Sequence, residues 1–261
     1  MHGYRDEMYG DRSAEHYDGL LAHHQPPAEM LVLLESLAGK GAAVEIGVGT
    51  GRVAVPLARR GLRITGVDVS AEMISRLTEK CGSLAVTGLV AEATSFTLPE
   101  PAELIYCVFN TMYQIQSGEQ QAAFLRNVVR NLADDGRLLL ETGIFRPADI
   151  AGGRGMTVKR LAVEQVILQV YSHDAERQLI EKQEIILEHG KPVQLVPSVQ
   201  HYVSPEQLVE MAEAAGLTMT ARYGTWDKDP FTEESDNAIT IFQKKAARVS
   251  CGDPGSLEVN R

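Results

Sequence analysis

Glu45-Ile46-Gly47-Val48-Gly49-Thr50-Gly51 closes an apolar run near the start of the chain, and Asp68-Val69-Ser70 closes the next one. Glycine has no Cβ and tolerates positive φ, so a strand that ends in Gly-x-Gly-x-Gly and runs into a helix lets the backbone approach a ligand closely. A carboxylate at the end of the following strand can accept both hydroxyls of a ribose. Taken singly, the glycine turn reads equally as a turn that merely packs well, and Asp68 as a solvated strand end. Together, at the same edge of a sheet, they predict an adenosine-containing ligand. The dinucleotide fingerprint has its third glycine one place later, where this chain has Arg52, and that offset turns the expectation from NAD to S-adenosylmethionine.

The elements that position these residues follow from apolar spacing. A helix is expected from about Gln25 to Leu37, with Met30, Leu31, Leu33, Leu34 and Leu37 at helical intervals after two prolines. Ala42 to Ile46 reads as a strand, Thr50 to Arg60 as a helix stopped by Gly61, and Leu62 to Val69 as a second strand. Ser70 is placed to cap a helix over Ala71 to Lys80. Strands at Val86 to Ala91, Leu104 to Phe109 and Gly136 to Thr142, with a helix at Glu119 to Leu132, extend the alternation. Such alternation implies parallel βαβ units, so the fold class is α/β with a doubly wound, mostly parallel seven-stranded sheet.

After Thr142 the pattern changes. Ala162 to Ser172, Gln178 to Glu188 and Val193 to Val203 read as three strands of an antiparallel meander, with turn signals at His173-Asp174 and His189-Gly190. Ser204-Pro205-Glu206 restarts a helix that runs to Ala215 and stops at Gly216, and Leu217 to Tyr223 and Ala238 to Phe242 close the sheet. The expected organisation is N-terminal lid helices over 1–40, a cofactor-binding core over 41–143 and 204–244, an inserted β-rich substrate cover over 144–203, and a mobile tail over 245–261. An insertion at the carboxyl edge of an open α/β sheet stands beside the ligand crevice.

Composition narrows the function classes. The formal charge of −10 repels phosphate backbones and anionic membranes at long range, so polymeric nucleic acid is disfavoured as a substrate. No stretch reaches the length of a bilayer span, and the three cysteines form no CxxC, so a cytoplasmic protein without disulfides is expected. His23-His24 has no carboxylate or Cys at metal spacing, and no metal site is expected.

From about Tyr17 to Phe242 the chain resembles the class I S-adenosylmethionine-dependent methyltransferases, in the small-molecule, natural-product branch with a β-rich cover after the fifth strand. Val44 to Arg52 is similar to that family's first motif, which implies that Glu45, Gly47, Gly49 and Gly51 line the methionine end of the cofactor. Val67 to Met73 is similar to the second, which implies Asp68 on the ribose with Val69 and Met73 flanking the adenine. Glu92-Ala93 takes the place where the family often has Asp before a small residue. Glu92 or the backbone of Ala93 then reads the adenine amino edge. Asn110, closing the fourth strand, takes by the same resemblance the site that faces the transferring methyl, its other reading being an ordinary strand cap; Phe109 beside it is expected at the cofactor, and Tyr17 is similar to a lid tyrosine that covers the cofactor. Tyr17 reads equally as a staple for the N-terminal helix.

The implied reaction is in-line methyl transfer to a nitrogen, oxygen or carboxyl of a small metabolite, leaving S-adenosylhomocysteine. The sulfonium methyl is already electrophilic, so positioning in a dry pocket lowers the barrier, and a base matters only for a nucleophile that arrives protonated. Candidate bases are Tyr113, His201, Tyr17 and His16. Asn110-Thr111-Met112-Tyr113 lacks the prolines of the Asn-Pro-Pro-Tyr motif of nucleic-acid amino methyltransferases. The alternatives are an NAD(P)-dependent oxidoreductase, against which Arg52 speaks, and a non-catalytic S-adenosylmethionine-binding partner protein.

Overall fold

The computed structural model describes residues 1–20, 25–146 and 153–245. Most of the expected tail, residues 246–261, and the His23-His24 pair lie outside the described residues. Helix α1 spans Glu7–Leu20 and α2 Ala28–Ala38. The alternating region then gives β1 (Ala42–Ile46), α3 (Ala54–Arg59), β2 (Arg63–Asp68), α4 (Ala71–Cys81), β3 (Val86–Val90), β4 (Ala102–Cys107), α5 (Gly118–Asn131) and β5 (Leu132–Gly143). Four strands follow, β6 (Arg154–Leu161), β7 (Gln165–Asp174), β8 (Leu179–Glu188) and β9 (Gln194–His201), then α6 (Pro205–Ala215), β10 (Leu217–Tyr223) and β11 (Asn237–Lys244).

Seven strands form one sheet in the order β10-β11-β5-β4-β1-β2-β3. β1 to β5 are parallel, and β11 runs antiparallel to both β5 and β10. The chain winds outward from β1 to β3, then returns to lay β4 on the other side of β1. That reversal opens a crevice at the carboxyl ends of β1 and β4, where ligands of doubly wound sheets bind. Both faces are covered, which explains the continuous apolar runs of the central strands. Ile105, Cys107, Leu138 and Leu140 pack with Phe124, Leu125 and Val128 of α5 and Leu208 and Ala212 of α6. Leu104, Tyr106 and Leu139 face the other way, in the cluster of Leu33 and Leu34 of α2, Leu57 of α3 and Leu77 of α4.

The remaining strands form a second, antiparallel sheet in the order β6-β7-β8-β9. It has four strands where the sequence pattern suggests three. The extra one, β6, is an edge strand with Met156, Val158 and Leu161 exposed, so burial stamps no alternation on its sequence. Ala162, expected to begin the first strand, instead lies in the tight turn to β7, its N–H bonded to the Gln165 carbonyl at 2.9 Å. α1 lies against α4 and β9, bridging the two sheets. Among the described residues, no helix is long and apolar enough to cross a membrane.

The second sheet returns to the first through a capping box. The Ser204 hydroxyl accepts from the Gln207 N–H at 3.2 Å, and the Gln207 side chain accepts from the Ser204 N–H at 2.8 Å. Pro205 opens α6, and Gly216 ends it in the left-handed region at φ 100°. Ser204→Ala is expected to cost about 1 kcal/mol. Thermal denaturation should show this as a Tm lower by about 2–4 °C.

Candidate functional site

The glycine loop leaves β1 and folds back on β2. The N–H groups of Gly47 and Val48 both donate to the Val67 carbonyl, at 2.8 and 3.1 Å. Gly47 and Gly49 hold φ of 69° and 54°, the left-handed region that a side chain disfavours. A Cβ on Gly47 would sit 2.2 Å from the Thr111 methyl, so the loop passes too close to its neighbour for any side chain.

Two carboxylates flank this loop, Glu45 buried and Asp68 half-buried. Asp68 accepts the Gly49 N–H on Oδ2 and the Ser70 N–H on Oδ1, each at 2.9 Å. Burial raises its pKa, and the N–H bonds from Ser70, Gly49 and Val69 oppose that rise. Glu45 is 3% exposed and accepts the Tyr106 hydroxyl at 3.0 Å. Burial pushes its pKa up to about 8, against the opposing hydrogen bond from Tyr106 and the charge of Arg52.

Helix α1 closes over the loop. The Thr50 hydroxyl donates to Asp18 at 2.6 Å, and Lys80 both pairs with Asp18 and donates to Thr50 at 2.8 Å. Ser70 donates to Asp11 at 2.6 Å while capping α4, accepting from the Met73 N–H at 3.1 Å. Gly10 allows this approach, since a Cβ there would stand 2.5 Å from that of Ser70. The Tyr17 ring lies over Gly49, 3.5 Å from where a Cβ would be, and burial pushes its hydroxyl up to about 12.

These elements enclose a cleft of about 1110 Å³, counting open solvent at its mouth. Tyr17, Glu45, Gly47, Gly49, Asp68, Val69, Met73, Glu92, Ala93 and Phe109 all line it, so most of the residues expected at a cofactor site come together. Sequence reasoning missed Asp6 and Tyr9 of the N-terminal region, which also line it. Its walls carry four carboxylates, Asp6, Glu45, Asp68 and Glu92, against the single guanidinium of Arg52. Such a surface suits a cation and repels the pyrophosphate of a dinucleotide.

A second cavity of about 1550 Å³, open solvent included, adjoins the cleft under the four-stranded sheet and shares Tyr9, Phe109 and Gln114 with it. Phe109 and Asn110 at the junction both adopt positive φ, 58° and 62°. That backbone is costly for such residues, and it is held by hydrogen bonds from the Phe109 N–H to Glu141 at 2.8 Å and from the Gly143 N–H to the Asn110 amide oxygen. The Arg52 guanidinium stacks 4.5 Å from the Phe109 ring centroid.

Four expected site residues are placed elsewhere. Gly51 does not line the cleft; at φ 88° it packs the loop onto α4, where a Cβ would meet Leu77 at 2.5 Å. Asn110 lines the second cavity, with its amide oxygen occupied by Gly143. Of the candidate bases, Tyr113 and His201 reach neither cavity. The Tyr113 hydroxyl is buried 3.1 Å from the carbonyl oxygens of both Gly143 and Val203, and burial pushes it up to about 12. His201 falls on the face of β9 opposite Ser198 and Gln200, which line the second cavity, because side chains along a strand alternate. His16 lines neither.

A family described as a methyltransferase domain matches residues 43–136, the stretch that carries the glycine loop, Asp68, Glu92 and Phe109. The CcbJ methyltransferase from Streptomyces caelestis superposes with a TM-score of 0.86 at 27% identity, covering 93% of this chain and 100% of that one. The chain is an S-adenosylmethionine-dependent methyltransferase. The acid-lined cleft agrees with a sulfonium cofactor, and the NAD alternative falls. A cypemycin N-terminal methyltransferase from Streptomyces sp is 24% identical to this methyltransferase over 243 residues, 91% of this chain and 98% of that one. CalS10 from Micromonospora echinaspora, an amino pentose methyltransferase, covers 88% of this chain and 96% of its own with a TM-score of 0.66; at 13% identity that likeness bears on the fold alone.

The buried Glu45 gives this methyltransferase a testable pH dependence. Between the ordinary glutamate value and about 8 the unfolded chain is ionised while the folded protein keeps the proton, so stability falls as pH rises through that window. Glu45→Gln, which still accepts from Tyr106, is expected to match the parent near pH 4.5 and to exceed its Tm by about 3 °C or more at pH 8. Parallel melting curves across that range check the sign.

Proposed function

We propose that the protein methylates an amine nitrogen of a small molecule, with S-adenosylmethionine in the acid-lined cleft and the acceptor in the adjoining cavity. The observation that carries this reading is that the two spaces adjoin and share Tyr9, Phe109 and Gln114 in their walls, which sets an acid-lined cleft beside a polar chamber. In this reading Asp68 accepts the ribose hydroxyls, Val69 and Met73 flank the adenine, and Glu92 or the Ala93 backbone takes its amino edge. Glu45 and the loop of Gly47 and Gly49 receive the methionine end, and Tyr17 covers it from α1. The cofactor supplies a methyl group that is electrophilic when bound. The chain aligns the nucleophile with it and excludes water, which suffices for a neutral amine. No proton transfer by Tyr113 or His201 is needed. The cypemycin relative, an N-terminal methyltransferase, supports nitrogen as the acceptor atom. The formal charge of −10 weighs against a nucleic-acid acceptor.

Calorimetry is expected to show micromolar binding of S-adenosylhomocysteine and none of NAD. Asp68→Ala should weaken that binding about 100-fold, roughly 2.7 kcal/mol, with Asp68→Asn intermediate and both variants folded by circular dichroism. A panel of primary and secondary amines, alcohols and carboxylic acids with labelled cofactor tests the acceptor atom. Methyl transfer to oxygen alone would overturn the nitrogen assignment, and binding without transfer to any class would favour a non-catalytic partner.

A further inference from the structure

The inner face of the four-stranded sheet is polar where a covered sheet face is ordinarily apolar. Gln169 of β7, Lys182 and Glu184 of β8, and Ser198 and Gln200 of β9 all line the second cavity. On that face Ile167, Ile186 and Val196 form a small apolar patch against Tyr9 of α1, and Ile180 and Tyr171 pack into the main core. Burying so many polar groups costs stability unless something satisfies them.

The charge on this wall is mostly positive. Lys159 and Arg160 of β6 line the cavity with Lys182, against the single carboxylate of Glu184. Consecutive strand residues ordinarily point to opposite faces. Here β6 changes register between Val158 and Arg160, so that Lys159 is the inserted residue of a bulge and both cations border the chamber. The Lys182 ammonium donates to the Gln200 side chain at 2.7 Å and lies 5.6 Å from the Phe145 ring centroid. Among the described residues, none of the three cations makes an ion pair, although Arg60, Arg76, Lys80, Arg146, Lys191, Arg222 and Lys244 elsewhere all do. Burial pushes Lys182 down to about 8, and the nearby charge of Lys159 adds to that shift. Like charges gathered around one chamber repel each other unless an anion enters between them.

We infer that the acceptor carries an anionic group, a carboxylate or a phosphate, which Lys159, Arg160 and Lys182 seat against the inner face of the four-stranded sheet. This rests on the reading of the second cavity as the acceptor site. The arrangement also serves an amine nucleophile, because neighbouring cations disfavour its ammonium form and so supply the neutral nitrogen without a dedicated base. The anionic group offsets the repulsion between these cations and the sulfonium next door. Glu184 opposes the trio and limits how tightly the anion is held.

The test uses the protein saturated with S-adenosylhomocysteine and titrated calorimetrically with sodium phosphate and, separately, sodium acetate, at ionic strength held constant with chloride. Saturable binding of at least one anion is expected, weakened about tenfold or more by Lys182→Met and by the exposed pair Lys159→Gln with Arg160→Gln, and tightened several-fold by Glu184→Gln. The exposed pair keeps the test decisive if Lys182→Met fails to fold. Phosphate binding alone assigns a phosphoryl group, and acetate binding, alone or with phosphate, assigns a carboxylate. Absence of saturable binding, affinity unchanged in the Lys159/Arg160 variant, or a Glu184→Gln variant that binds no more tightly would overturn the inference. Those results leave the methyltransferase standing, whereas failure of the parent to bind S-adenosylhomocysteine would count against the cofactor cleft itself.

Discussion

The carboxylate of Asp68 is the tie on which the site depends. One oxygen holds the Gly49 N–H and the other the Ser70 N–H, so the loop after β1 and the cap of α4 are fixed to a single group at the end of β2. Ser70 passes the constraint on, capping α4 through the Met73 N–H and bonding to Asp11 of α1. Backbone donors replace part of the water that this carboxylate loses and oppose the rise that burial causes in its pKa, and hydrogen bonds to a charged group are roughly twice as strong as neutral ones. The glycine loop, the first turn of α4 and the N-terminal helix are therefore positioned together.

From that tie the molecule builds two adjoining spaces of contrasting character. The cleft at the carboxyl ends of β1 to β4 is lined mainly by acids, and the chamber under the second sheet mainly by bases. Phe109 stands where they meet, held in left-handed backbone by Glu141 and overlaid by Arg52. Strained backbone at a junction of this kind fixes one side chain where neither a regular strand nor a regular helix would place it. The contrast in charge between the two walls gives each space its own preference among ligands.

The cofactor half was legible in the sequence because its determinants are local. The turn needs glycine at 47 and 49, the acid must end the next strand, and the cap must be a Ser one turn before Met73, all within one βαβ unit. The N-terminal contribution was harder to read. α1 buries Ala14 and Ser13 but presents mixed polarity elsewhere, since it meets hydrogen-bonding groups such as Thr50, Ser70 and Lys80 as well as the small apolar patch against Tyr9. Asp6 and Tyr9 therefore carried no periodic signal. The β6 strand was missed for the opposite reason, its side chains being too exposed for burial to shape their order.

By itself the sequence determined the α/β alternation, the glycine turn with Asp68, and hence the cofactor class, because backbone conformation and strand order are written in residues close together in the chain. Only the tertiary structure decided which groups face the second chamber. Along a strand the facing side alternates residue by residue, so His201 turns away while Gln200 points in, and a single bulge at Lys159 changes the outcome for its neighbours. Tyr113 is withdrawn by carbonyls thirty and ninety residues away, at Gly143 and Val203, contacts that no local pattern encodes.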